Sequence, residues 1–141
     1  MACSPPRRAT VIGGLARPSL VSRSLIAIID DDEELCFSLV DLMHSVGHRA
    51  EPFASAENFL SSSNLPVFDC IVADVHMPGM SGFDLVRRLR EEDRATPVIL
   101  ITALPYAHLD AEALSTGALS LIRKPFEAAA LLEFVDRSLS K

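Results

Sequence analysis

Acidic side chains follow two short apolar runs of the sequence. The first run covers residues 25–29, and five acidic residues come directly after it: Asp30, Asp31, Asp32, Glu33 and Glu34. The second run covers residues 70–73 and is followed by Asp74. Carboxylates packed a few ångströms apart raise one another's pKa or bind a cation, and such all-oxygen sites suit Mg2+. For Glu33 and Glu34 we instead expect a place at the N-terminus of a helix, where its dipole favours negative charge.

A hydroxyl and an ammonium group follow two later apolar runs in the same manner. Thr102 comes after residues 98–101, and Lys124 comes shortly after residues 119–122. A bound metal, the Thr102 hydroxyl and the Lys124 ammonium could each bind one oxygen of a phosphoryl group in transfer. A threonine at the end of a strand is usually only a capping residue. The prediction of phosphoryl chemistry therefore depends on the joint placement of these groups.

Short apolar runs alternate with longer amphipathic segments from Leu25 onward, which is typical of strands and helices wound around a parallel sheet. The predicted strands cover residues 25–29, 49–53, 70–73, 98–101 and 119–122. With five alternating helices they predict an α/β fold: a doubly wound, five-stranded parallel sheet of order 2-1-3-4-5 in a flavodoxin-like three-layer sandwich. Ligands bind such sheets at the carboxyl ends of strands, where the acidic residues stand.

Four residues indicate where helices begin and end. Ser55 and Ser81 suit the N-caps of the second and third helices, and Pro105 suits the first turn of the fourth. Gly117 is expected to end that fourth helix, which we predict around residues 108–116.

Charge is unevenly distributed along the chain. Its 141 residues, 49% of them apolar, suit one domain, and the formal net charge is −6. Residues 1–24 hold four arginines and no acidic residue, and we expect a disordered basic N-terminal extension there, with a transit peptide as the alternative. Residues 25–141, the predicted domain, are therefore strongly acidic, which argues against direct nucleic-acid binding.

The cysteines and apolar runs exclude other classes. Cys3, Cys36 and Cys70 form neither a disulfide framework nor a metal-binding pattern. Cys36 and Cys70 lie in apolar stretches, so we expect small buried side chains rather than redox sensors. Because the apolar runs are too short to cross a bilayer, we expect a soluble, cytoplasmic protein without membrane insertion.

Four motifs, IIDDDEE, DVHMPGMSG, LITA and RKPF, occur in this order between residue 25 and about residue 139. Together they resemble the receiver domain of response regulators in two-component systems. The resemblance implies that Asp74 is the phosphoacceptor and takes its phosphoryl group from a sensor histidine kinase or a histidine phosphotransfer protein. It implies that Thr102 and Lys124 complete the catalytic site, with Lys124 joined to Pro125 by a cis peptide.

The same resemblance implies a set of Mg2+ ligands. Asp31 would bind the ion directly, Asp30 would help through water, and Asp74 and the backbone carbonyl of His76 would complete the set. Asp32 is the main rival to Asp31, because three successive aspartates blur the assignment. The loop residues Met77, Pro78 and Gly82 would shape the site without binding the ion.

One position departs from the family pattern. Many receiver domains have a Tyr or Phe three residues before the lysine, and this sequence has Leu121 there. Tyr106 could substitute as the switch aromatic, or it is an ordinary loop residue. In the family the face that includes residues 103–117 binds partners, which suggests an interface centred on Leu109 and Leu114, although both could simply cover the sheet.

We expect a signalling domain with autophosphorylation and autodephosphorylation chemistry, and not a turnover enzyme. Because no DNA-binding helix-turn-helix or enzymatic output domain follows Lys141, we expect output through docking to a downstream protein target, through phosphate relay, or from a segment outside this sequence. A phosphorylation-dependent homodimer is a further expectation. The alternative function is a phosphate-independent, receiver-like interaction module. An aspartyl-phosphate hydrolase would need a carboxylate two residues after the nucleophile as general acid, where this sequence has His76.

Overall fold

The computed structural model describes residues 24–62, 67–92 and 94–139. Of the extension predicted over residues 1–24, residues 1–23 lie outside this described part. Strands and helices alternate as follows: β1 Leu25–Ile29, α1 Glu33–Ser45, β2 Arg49–Phe53, α2 Ala56–Ser61, β3 Cys70–Asp74, α3 Gly82–Glu91, β4 Val98–Thr102, α4 His108–Thr116, β5 Ser120–Arg123 and α5 Ala128–Leu139. None of these helices is both long enough and apolar enough to span a membrane.

The strands form one parallel sheet of order β2-β1-β3-β4-β5, which confirms the predicted fold class. Every residue of the three central strands β1, β3 and β4 is buried. Their nearly continuous Ile, Val and Leu content follows from helices covering both faces of the sheet. The sheet order places the ends of β1 and β3 side by side, at the point where the chain changes direction across the sheet.

Helices cover the two faces of the sheet unequally. On one face, α1 and α5 pack on Ile26 and Ile28 of β1 through residues such as Met43 and Leu131. On the opposite face, α2, α3 and α4 pack on the alternate residues, with Phe59 fully buried among them. The alternation follows from the two-residue period of a strand, which sends successive side chains to opposite faces.

The predicted strand ends differ from the observed ones by one residue at four places. The strands β3 and β4 each continue one residue further, to Asp74 and Thr102. The fifth strand begins at Ser120 rather than Leu119 and ends at Arg123 rather than Ile122. The later ends of β3, β4 and β5 are explained by ladder pairing, because Asp74 lies opposite Ile101 and Thr102 lies opposite Arg123. Asp74 and Thr102 are therefore the last residues of strands, whereas Asp30 and Lys124 directly follow the ends of β1 and β5.

Two of the predicted helix starts are confirmed and one is wrong. The side chain of Ser55 accepts a hydrogen bond from the backbone N–H of Asn58 at 3.0 Å. Ser81 forms a capping box with Asp84, in which each side chain accepts from the backbone N–H of the other residue. Both contacts satisfy N–H groups that lack a partner within the helix.

The fourth helix begins later than Pro105, which therefore does not occupy its first turn as predicted. Ala107 is the N-cap, and the first hydrogen bonds of the turn run from Leu109 N to Tyr106 O and from Asp110 N to Ala107 O. Since the turn starts at Tyr106, Pro105 belongs to the preceding loop. The predicted end is confirmed, because Gly117 adopts a φ of 96°, a left-handed conformation that favours glycine.

Candidate functional site

Three carboxylates meet at the carboxyl ends of β1 and β3. Asp30 and Asp31 follow β1, and Asp74 ends β3, whose residue Ala73 lies opposite Ile29. One oxygen from each carboxylate lies within 4.8 Å of the others. Asp30 and Asp74 are buried, with 2% and 7% of their surface exposed, whereas Asp31 is exposed to solvent. Asp30 and Asp74 thus lie inside the fold, and Asp31 lies on the solvent side of the group.

Lys124 reaches this group from the end of β5, across the intervening strand β4. Its Nζ lies 3.5 Å from Asp74 Oδ2 and 3.7 Å from Asp30 Oδ2. One ammonium faces three carboxylates, so the group keeps a net negative charge. A divalent cation would neutralise that remaining charge.

Thr102 is fully buried at the end of β4, between the strands that carry Asp74 and Lys124. Its Oγ1 accepts a hydrogen bond from the backbone N–H of Leu104 at 3.1 Å, and its carbonyl accepts one from Lys124 N at 2.7 Å. These contacts fix the hydroxyl next to the start of the β4–α4 loop. Thr102 and Lys124, which the sequence predicts beside Asp74, are therefore joined by a backbone hydrogen bond.

Asp32 has a role different from that of its two predecessors. It is the N-cap of α1, where its Oδ1 accepts a hydrogen bond from Leu35 N at 3.2 Å. Asp32 does not belong to the carboxylate group, which leaves Asp31 as the exposed member. Glu33 and Glu34 lie in the first turn of α1, the position expected for them.

Asp30 has the most strongly perturbed environment of the group. Burial raises its pKa to about 6, opposed by a hydrogen bond from the backbone N–H of Asp32, raised further by nearby Asp74 and lowered by Lys124. Asp30 Oδ1 accepts the Asp32 N–H at 2.9 Å, but the buried Oδ2 has no hydrogen-bond partner among the described residues. A buried oxygen without a hydrogen bond is costly, and the ion pair with Lys124 at 3.7 Å is too long to supply one. The oxygen-only donor set and the missing hydrogen bond at Oδ2 fit a Mg2+ ion.

The loop after Asp74 approaches the site closely. A side chain at Gly82 would place its Cβ 2.5 Å from the Asp74 carbonyl oxygen, so only glycine fits this approach. Met77 is buried and Pro78 is exposed. The backbone N–H of His76 donates to Asp74 Oδ1 at 3.4 Å, and the His76 side chain is exposed and outside the carboxylate group. The Lys124–Pro125 peptide is cis, as the motif implies.

Residues of the predicted partner-binding face divide into buried and exposed ones. Leu109 is 4% exposed and covers the sheet, whereas Leu114 is 69% exposed. Leu121 is half-buried against the core on the same side of the sheet. The ring of Tyr106 is 53% exposed and stacks on His108, with 5.7 Å between ring centroids, so it does not occupy an inward position in this structure.

Two residues near the site were not anticipated from the sequence. Arg123 donates to the carbonyl of Tyr106 at 2.7 Å and pairs with Asp110 at 3.1 Å, which ties β5 to the start of α4. Glu57 of α2 accepts a hydrogen bond from Met80 N in the loop after Asp74, at 2.8 Å. Glu57 carries no sequence signal, because an acidic residue in a first helical turn is ordinary. Arg123 has only its place beside Lys124 as a signal.

Residues 26–136 match the family described as "Response regulator receiver domain". The chain belongs to the response regulator receiver domain family. It is 35% identical over 116 residues to the "Response regulator protein TodT" of Pseudomonas putida, an alignment that covers 82% of this chain and 51% of that protein. It is 31% identical over 120 residues to the "Transcriptional regulatory protein FixJ" of Bradyrhizobium diazoefficiens, covering 85% of this chain and 58% of that one.

Solved receiver domains have the same fold. The structure titled "BeF3 Activated DrrB Receiver Domain" superposes with a TM-score of 0.77 at 30% identity and covers 84% of this chain and 99% of that one. This receiver domain spans about half the length of the curated relatives that it matches. The match is therefore to the receiver part of those longer proteins.

Proposed function

We propose that this receiver domain accepts a phosphoryl group on Asp74, with Mg2+, from a phosphohistidine of a sensor histidine kinase or a histidine phosphotransfer protein. The observation that carries the proposal is the buried Asp74 carboxylate, held beside Lys124 and two further carboxylates at one edge of the sheet. Membership of the receiver family supports the direction of transfer. The domain acts as a signalling module, and the chemistry is limited to its own phosphorylation and dephosphorylation.

Each residue of the site has a role in the proposed transfer. A carboxylate oxygen of Asp74 forms the new O–P bond while the P–N bond of the phosphohistidine breaks, and the imidazole leaves with the electron pair and takes up a proton. Lys124 and the Thr102 hydroxyl bind two oxygens of the phosphoryl group.

Asp30, Asp31, Asp74 and the His76 carbonyl would hold Mg2+. When bound, Mg2+ supplies positive charge that offsets the negative charge of the phosphoryl oxygens and carboxylates. Two features support this ligand set. The buried Oδ2 of Asp30 has no hydrogen-bond partner among the described residues, and the Asp31 carboxylate is open to water.

Output would pass through another protein in the cytoplasm. The exposed Leu114 of α4 supports a downstream protein target or a second, phosphorylated copy of this domain as the partner. The acidic composition supports the absence of direct nucleic-acid contact by this domain. A role in transcription, as the name of FixJ states for that protein, would then be exerted through a partner or through a further part of a longer protein.

Acetyl phosphate supplies a test without the unidentified kinase. The full chain is incubated with acetyl phosphate and Mg2+, and its intact mass is compared with that of Asp74→Asn, of a chelated sample and of Asp41→Asn. Asp41 is an exposed residue of α1, so its variant controls for the loss of one carboxylate. We expect one phosphoryl adduct on the wild type and on Asp41→Asn only.

Absence of the adduct on a folded chain that binds Mg2+ would contradict the proposal and favour a phosphate-independent interaction module. An adduct that persists in Asp74→Asn would assign the acceptor to another residue.

A further inference from the structure

The loop that joins β3 to α3, residues 75–81, carries the His76 carbonyl and is attached to a neighbouring helix by one side chain. Glu57 Oε2 accepts a hydrogen bond from Met80 N at 2.8 Å. Among the described residues, no other group from outside residues 74–82 bonds to a backbone N–H of residues 76–80. The remaining attachments are at the loop ends, where Val75 N donates to Ile101 O and Gly82 N to Val75 O.

Glu57 projects from a well-anchored helix. Its neighbour Ala56 is fully buried, and so is Phe59, whose ring packs edge-on against Phe53 with 5.2 Å between centroids. The Ser55 cap fixes the first turn that contains Glu57. A carboxylate on a helix anchored in this way can hold a loop in place, whereas a carboxylate on a mobile segment would move with that segment.

Gly79 shows how closely the loop fits this carboxylate. It has a φ of 80°, a conformation that other residues rarely adopt. A Cβ at this position would also collide with Glu57 Oε2. The loop backbone and the Glu57 side chain are therefore in direct contact over two successive residues, Gly79 and Met80.

We propose that Glu57 is a positioning residue for the phosphoacceptor loop: by binding Met80 N, it holds residues 76–80 in the conformation that presents the His76 carbonyl beside Asp74. The inference rests on the proposed function, because the ordered loop matters for the Mg2+ site and for Asp74. Glu57 itself would touch neither the ion nor the phosphoryl group. Because Glu57 orders the loop before Mg2+ binds, the free energy of binding would not have to offset the entropy lost in ordering residues 76–80.

Two substitutions separate the hydrogen bond from the charge. Glu57→Gln keeps an oxygen that can accept from Met80 N, and Glu57→Ala removes it. Glu91→Ala is the control, because Glu91 is an exposed carboxylate at the end of α3 that belongs to no hydrogen bond or ion pair of the described residues. All three variants and the wild type are studied as full chains.

Two measurements report the role of Glu57. The first is amide hydrogen exchange of residues 76–82 in the metal-free chains, and the second is Mg2+ affinity by calorimetry. Loss of one hydrogen bond corresponds to roughly a fivefold change in an equilibrium constant. In Glu57→Ala we expect Met80 to exchange about fivefold faster and Mg2+ to bind about fivefold more weakly, while Glu57→Gln and Glu91→Ala stay within about twofold of the wild type.

A third measurement distinguishes positioning from catalysis. With acetyl phosphate, the phosphorylation rate of Glu57→Ala should fall at low Mg2+ and return to near the wild-type value at saturating Mg2+. Unchanged exchange at Met80, or unchanged Mg2+ affinity, in a folded Glu57→Ala chain would overturn the inference. If the wild type takes up no phosphoryl group, the proposed function fails, and the exchange of Met80 still decides whether Glu57 holds the loop.

Discussion

Asp30 is a carboxylate whose folded surroundings disfavour its charge. Its pKa is raised from 3.8 to about 6, mainly by burial, and Lys124 at 3.7 Å offsets only part of that effect. A group with a raised folded pKa contributes most to stability while it is protonated, and that contribution is lost as the pH rises through 6. In the metal-free chain at neutral pH, the charged Asp30 therefore opposes folding.

We predict that Asp30→Asn makes the metal-free chain more stable than the wild type by roughly 3 kcal/mol at pH 7.5, since the Asp30 pKa rises from 3.8 to about 6 and each pKa unit corresponds to about 1.4 kcal/mol. The advantage should shrink as the pH falls through 6 toward 4, where the wild-type carboxyl is protonated. Urea unfolding in the presence of a chelator, at several pH values, measures it. Asp41→Asn is the control for the loss of one surface charge. Equal stability of wild type and Asp30→Asn at pH 7.5 would show that the charge of Asp30 does not destabilise the folded chain.

At the residue scale, the sequence predicted which groups meet but not all of their contacts. Asp30, Asp31 and Asp74 could be anticipated because each follows an apolar run that ends at the same edge of a parallel sheet. The sequence did not distinguish Asp31 from Asp32. In the structure Asp31 lies in the carboxylate group, whereas Asp32 caps α1. Glu57 could not be predicted, because its partner lies 23 residues away in the sequence.

At the scale of elements, α4 combines a buried and an exposed leucine. Leu109 packs against the sheet with 4% of its surface exposed, whereas Leu114 is 69% exposed. The sequence left both residues open, because the apolar pattern of this helix is weak and two leucines five residues apart do not lie on one face. The structure therefore assigns Leu109 to the core and leaves the Leu114 side chain exposed.

The pair allows a matched prediction on one helix. Leu109→Ala should lower the free energy of unfolding by about 2 to 5 kcal/mol, because it leaves a cavity in the core. Leu114→Ala should change it by less than about 0.5 kcal/mol, because the side chain is already in water. Denaturant unfolding followed by circular dichroism compares the two. A large loss of stability in Leu114→Ala would mean that this residue is packed within the domain.

Element positions were predicted more accurately than the loop before α4. The five strands and their order are confirmed, since their apolar runs are determined by burial on both faces. Pro105 was placed wrongly because its fixed φ suits a helical first turn as well as a loop. The start of α4 is instead set by the carbonyl of Tyr106, which Arg123 holds from the neighbouring strand. Such a tertiary contact leaves no local pattern in the sequence.

At the scale of the whole molecule, two thiols report on global unfolding. Cys36 and Cys70 are buried, and burial raises the pKa of both, that of Cys70 to about 11. Their burial confirms the prediction of small buried side chains. Since the thiolate is the reactive form, both should react only when the domain opens.

We predict that, in a Cys3→Ser chain, a thiol reagent labels Cys36 and Cys70 together and slowly. Mg2+ at about 100 times its dissociation constant should stabilise the folded state by about 2.7 kcal/mol and slow labelling by roughly a hundredfold. Asp31→Asn, which removes a proposed ligand, should weaken this protection. Labelling at the rate of free thiols in the native chain would contradict the burial of both residues.

The order of the sheet also has a consequence for synthesis on the ribosome. The first strand to be made, β1, lies between β2 and β3, and β3 emerges only after a helix, a strand and a second helix. Until then one apolar edge of β1 has no neighbour, which exposes the nascent chain to wrong pairing. Protease sensitivity of arrested nascent chains would measure this window. Once β3 is in place, β4 and β5 add in chain order, so the remaining half of the sheet is completed outward from β3.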